Sequence, residues 1–168
     1  MRYEPQIRAG DRGNQASLED WEHEALGHTI WGAVHMTVNG PLDELALAAV
    51  AASTGAWPYQ PKGRQKTYVA RGGKRFHLRT KNEEDDGEWF FGINERFWKA
   101  GEYFVLACGG PNAMFVVPVH EFPSRDQFPQ GGTDRKIHVV CRRGQWYIRD
   151  PYPRFVLDQY RDAFQLLV

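Results

Sequence analysis

The chain has 168 residues, the size of one domain, and 42% hydrophobic and 14% aromatic residues supply a real core, which excludes disorder across its bulk. Lys plus Arg (21) balances Asp plus Glu (21), which excludes a uniformly basic nucleic-acid coat but leaves room for a local basic patch. The uncharged run from Leu45 up to Lys62 is broken by Gly55 and Pro58 and is too short for a membrane span. The polar, charged N-terminal residues are not expected to act as a secretory signal. Two cysteines make neither a disulfide framework nor a zinc site, so a reducing, cytoplasmic setting is expected, with no Cys108–Cys141 bridge.

Residues 1–16 lack periodicity and read as a flexible arm, with a single domain over residues 17–168. Ser17-Leu18-Glu19-Asp20 has capping-box form and opens a helical stripe through Val34, although residues 29–38 also fit a strand. Pro41, Asp43 and Glu44 open a second helix that Gly55 closes; Leu, Ala and Val on nearly every side predict that it is buried. The periodicity then changes. Lys66–Arg71, Arg75–Lys81, Glu88–Asn94, Tyr103–Cys108, Ala113–Phe122, Lys136–Arg142 and Gln145–Arg149 are rich in β-branched and aromatic residues, with Gly, Pro and Asn between them. Glu95–Gly101 reads as a short helix, and Phe155–Leu167 as a closing amphipathic one. The order predicts an α+β fold: N-terminal helix or helices, a central, mostly antiparallel or mixed sheet of at least five strands, and a C-terminal helix.

One charge asymmetry stands out. Between Lys62 and Lys81 there are eight cations and no acid: Lys62, Arg64, Lys66, Arg71, Lys74, Arg75, Arg79 and Lys81, with His77 among them. On a strand, Arg75, His77 and Arg79 share one face, and a basic hairpin of this kind can grip a phosphate backbone; the competing reading is a solvated face. Arg142, Arg143 and Arg149 form a weaker basic group, with Trp146, Tyr147, Tyr152 and Arg154 near by. Glu83, Glu84, Asp85, Asp86 and Glu88 match no calcium loop and read as a solvated hairpin tip. His23 and His28 are five residues apart, about 140° around a helix, so the near-zincin HEALGH cannot bring both to one metal. Cys108 and His120 are separated by roughly 20 Å of strand if residues 109–112 close a hairpin, too far for a thiol–imidazole pair.

The sequence PLDELALAAVAASTG, then KTYVAR, KRFHLRTK, GEWFFGIN, EYFVLAC and AMFVVPVHEF, resembles the core of the PD-(D/E)XK, or restriction-endonuclease-like, superfamily over about residues 41–122. The resemblance implies a DNA partner, and Glu44 matches a helix carboxylate that some members use. The family's Asp and Glu-x-Lys, which hold Mg²⁺, are missing: the first strand offers Thr67, Tyr68 and Val69, and His77-Leu78-Arg79 stands where Glu-x-Lys would. The implied protein is therefore a double-stranded-DNA-binding module with no cofactor, from a degenerate nuclease or a restriction or other defence system. An alternative is a metal-dependent endodeoxyribonuclease with a rearranged site of Glu44, His77 and some of Glu83–Glu88, using Mg²⁺. A third is a protein-interaction module.

Overall fold

The structure, a computed structural model, describes residues 40–99, 101–150 and 153–168. The expected arm, the capping box, the stripe through Val34, His23, His28 and Tyr152 lie outside the described residues. Among the described residues there are one helix and nine strands, in two sheets. None of their helices is long and apolar enough to cross a membrane.

Helix α1 spans Pro41–Thr54. Pro41 occupies its first turn, and Gly55 ends it in the left-handed conformation, donating its N–H to the Ala51 carbonyl. Ala46, Leu47 and Val50 form a buried stripe, whereas Leu45 is half exposed and Ala48 is exposed, so the helix is one-faced rather than buried all round. Burying Leu47 and Val50 contributes about 1.5–3 kcal/mol each.

Sheet A has the order β1-β2-β4-β5, from Thr67–Val69, Arg75–Lys81, Tyr103–Cys108 and Met114–Pro118. β2 and β4 run parallel; the other pairs are antiparallel. Sheet B has the order β3-β7-β8-β9, from Glu88–Asn94, Asp134–Arg142, Gln145–Ile148 and Phe155–Val156, with β6 (Gln130–Gly131) also on β7. The β7–β8 turn is Arg143-Gly144, both at positive φ (54° and 79°), as a two-residue hairpin loop of the I′ kind requires.

Sheet A is covered on both faces. Phe76, Leu78, Val105, Ala107, Met114 and Val116 pack towards α1 and the C-terminal residues Phe164 and Leu167. Phe104, Leu106, Phe115 and Val117 pack towards Phe91, Ile93, Ile137, Val139 and Ile148 of sheet B. The first of these layers also holds a buried carboxylate. Asp43, 1% exposed in the first turn of α1, accepts from Lys66 Nζ and Thr80 Oγ1.

Two expectations are overturned, so the fold is largely sheet with one described helix rather than the α+β succession the sequence predicted. The strands divide between two sheets because β3 leaves sheet A after the acidic turn and pairs with β7, and the chain returns to lay β4 beside β2. The burial patterns carry this difference: β3 alternates between buried and open positions, whereas β5 is buried at every position. The closing helix is absent. Residues 155–167 form β9, a 3₁₀ turn at Asp158–Tyr160, an isolated bridge from Arg161 to Phe115 and a second 3₁₀ turn at Phe164–Leu167. Asp162 at φ 52° interrupts any helical path. Leu157, Tyr160, Phe164 and Leu167 are all buried, so the helix-like apolar spacing is satisfied by successive tight turns.

Removing the buried carboxylate by Asp43→Ala should strand Lys66 and Thr80 and cost about 3 kcal/mol, read as a lower urea midpoint at unchanged slope. The fully buried Tyr68 hydroxyl has no hydrogen-bond partner among the described residues, so Tyr68→Phe should leave stability equal or raise it by about 1 kcal/mol in the same assay.

Candidate functional site

The parallel register sets Phe76 opposite Tyr103, which brings Glu102, one residue earlier on the chain, to the Arg75 end of β2. Glu102 accepts from Arg75 Nη1 at 3.0 Å through one oxygen and hydrogen-bonds His77 Nε2 through the other. The second ring nitrogen of His77, Nδ1, lies 3.0 Å from Thr67 Oγ1 on β1. Thr67, His77 and Glu102 are all buried, and Phe97 lies against the His77 ring with centroids 4.3 Å apart.

These side chains floor a small pocket of about 40 Å³. Its rim is basic: Arg64 precedes β1, Arg75 is on β2, and Arg96 and Lys99 come from the 3₁₀ turn at Glu95–Phe97 and the segment after it. All four are exposed.

Burial pushes the His77 pKa below its ordinary value and outweighs the hydrogen bond and charge of Glu102. Burial acts to raise the Glu102 carboxyl, but the hydrogen bonds from His77 and Arg75, with the charge of Arg75, hold it below the usual range. The pair therefore rests as a neutral imidazole and a carboxylate. This assigns the imidazole proton to Nε2, facing Glu102, and leaves Nδ1 to accept from Thr67.

The structure divides the basic stretch. Arg64, Arg75 and His77 meet at the pocket, but His77 is in its floor, 3% exposed, rather than projecting to solvent. Arg79 shares their side of β2, but it is half-buried over the Phe97 ring, its guanidinium carbon 5.0 Å from the centroid. Lys66 is drawn to Asp43 on the opposite side of the sheet, and Lys81 pairs with Glu84 at 3.4 Å. Arg71 lies against Gly55 at the C-terminal end of α1, where a cation suits the helix dipole. Lys62 is exposed in the loop before β1, and Lys74 is exposed in the β1–β2 turn. Arg142, Arg143 and Arg149 belong to sheet B and the turns at its strand ends.

The carboxylates behave differently from the sequence reading. Glu44 is exposed on α1, and the ring nitrogens of His77 are held by Thr67 and Glu102, not by Glu44 or the Glu83–Glu88 cluster. Glu88 is no part of a solvated tip: it binds His138 Nε2 at 2.8 Å and Arg142 at 2.6 Å. The residues at this site do not fit Mg²⁺: both imidazole nitrogens are engaged, Glu102 is neutralised by Arg75, and cations surround the opening. Cys108 and Cys141 are both free thiols, and burial pushes the Cys108 thiol strongly up.

Thr67, Arg96, Lys99 and Glu102 are site residues that no sequence motif marks. Glu102, immediately before an otherwise apolar strand, is the one available signal; its meeting with His77 depends on a parallel pairing that no local pattern announces. Compared with known proteins, the chain matches no family model and no curated protein.

Because the folded state resists protonation of both His77 and Glu102, the unfolded chain binds more protons as pH falls. Stability should therefore drop as pH is lowered through about 6.5, the ordinary histidine value, and drop again through the carboxylate range. Urea midpoints from about pH 8 to about pH 5 should show a shallower first drop in His77→Gln than in the native chain.

Proposed function

We propose that the chain is a DNA-binding module that seats a backbone phosphate at the pocket between β1, β2 and the Glu95–Phe97 turn. The observation that carries this reading is the convergence of Arg64, Arg75, Arg96 and Lys99 on one small pocket whose single carboxylate, Glu102, is already satisfied by Arg75 and His77. Arginine and lysine supply charge-assisted hydrogen bonds to phosphate oxygens, and Arg75, fixed by Glu102, presents its remaining donors in a set direction. The neutral His77 adds no charge; it holds Glu102 and so positions Arg75. The resemblance to restriction-endonuclease-like proteins supports the choice of polymer, with a degenerate nuclease or a defence-system recognition module as the lineage.

Arg64 and Lys99 are exposed rim residues, so Arg64→Ala/Lys99→Ala removes charge without opening the core. Duplex binding should weaken, and the slope of log K against log salt should flatten by about 0.9 for each phosphate no longer held. Fluorescence anisotropy at several salt concentrations reads both quantities, and circular dichroism checks folding. Equal affinity and slope in the two proteins would leave the protein-interaction reading in its place.

A further inference from the structure

Sheet A is buried on both faces; the outer side of sheet B is covered at His138 (8% exposed) and Val140 (3%) on β7 but opens at Phe90, where aromatic rings stand among exposed cations. On β3 and β7 the pair Phe90–His138 faces outward, with ring centroids 4.0 Å apart and planes 25° apart, and Phe90 is 37% exposed. One strand over, Tyr147 on β8 is paired with Val140, and the Arg154 guanidinium carbon lies 4.6 Å from the Tyr147 centroid. Around these rings stand Lys136, two residues before His138 on the same face, and Arg149, whose N–H bonds the His138 carbonyl. Lys136, Arg149 and Arg154 are exposed and form no ion pair among the described residues; of the acids on this face, Glu88 is occupied by His138 and Arg142, and Asp134, beside Gly92, accepts from Asn94 and Thr133, which leaves the cations in excess.

We infer that this face binds a single nucleic-acid strand, with unpaired bases stacking on Phe90 and on the Tyr147–Arg154 pair and phosphates held by Lys136 and Arg149. Charge complementarity selects the occupant: a wholly apolar partner would leave three unpaired cations buried, whereas a polyanion with flat bases satisfies both the cations and the rings. Sheet geometry sets the manner of binding. Phe90 and Tyr147 lie two strands and two residues apart, about 12 Å. That exceeds the roughly 3.4 Å rise of stacked bases, so the strand would be extended with its bases splayed. The inference extends the nucleic-acid reading but uses different residues from the phosphate pocket.

The probes are a short oligothymidine, the matching oligouridine and a blunt duplex, measured by fluorescence anisotropy. Phe90→Ala/Tyr147→Ala should weaken single-strand binding at least about fivefold for each ring, with an unchanged salt slope because every cation is retained. Lys136→Ala/Arg149→Ala should instead flatten the single-strand slope by about 0.7 for each phosphate no longer held. Phe90→Tyr, which keeps a stacking ring, should retain binding and guards against a purely structural loss. Oligothymidine and oligouridine separate the two sources of a strand, and preference for either supports the inference. Failure of the native chain to bind either strand, or equal single-strand affinity in Phe90→Ala/Tyr147→Ala, overturns it. Loss confined to the duplex in Arg64→Ala/Lys99→Ala bears on the phosphate pocket alone, so the two readings fail separately.

Discussion

Because sheet A is packed on both faces, a charge its strands carry inward is held there by a partner from another element. An unpaired charge in such a layer costs several kcal/mol, far more than one surface ion pair contributes. On the α1 side, Lys66 and Thr80 share Asp43. On the sheet B side, Arg75 and His77 share Glu102, and Arg79 covers Phe97. A run of cations that looks continuous in sequence is thereby divided between two sides of one sheet.

That division decides what the pocket can do. Lys66 and Lys81 are matched by acids, and Arg79 is half-buried, so little of the original run remains at the opening. Its positive character is restored by Arg96 and Lys99, which the 3₁₀ turn between β3 and β4 brings from outside the run. The single carboxylate in the floor does not reverse this: Arg75 and His77 occupy its two oxygens. Four cations around one satisfied carboxylate favour an anion and oppose a divalent metal.

Local chemistry was the legible part of the sequence. Pro41, Asp43, Glu44 and Gly55 mark both ends of α1 with residues whose preferences act within one turn, and the Gly-containing breaks place the strands. Partnership between strands was not legible. Nothing in the seven residues of β2 distinguishes a parallel neighbour from an antiparallel one, yet that pairing carries Glu102 to His77. The C-terminal segment misled for a related reason. Its apolar spacing fits a helix, but pairing of Phe155–Val156 with β8 and the left-handed Asp162 satisfy the same burial by another route. At the site, the type of residue was readable and the direction of its side chain was not: Arg75 lines the pocket while Arg79, four residues on and on the same side, is laid over Phe97.

The two sheets carry different constraints. In sheet A the buried ionisable side chains come in fixed sets such as Thr67–His77–Glu102–Arg75. On β3 of sheet B, alternation releases the outward residues from packing: Trp89, Phe91 and Ile93 fill the core while Phe90 and Gly92 face away from it. Phe90 is therefore not explained by core packing, and the tyrosine and cations near it are not held by the interior either. A ring that contributes little to the core leaves apolar surface exposed to water, and this one sits beside His138 within a row of cations rather than alone. The pocket of sheet A can hold one anion in a set place, whereas the outer row of sheet B can accommodate an extended ligand along its length.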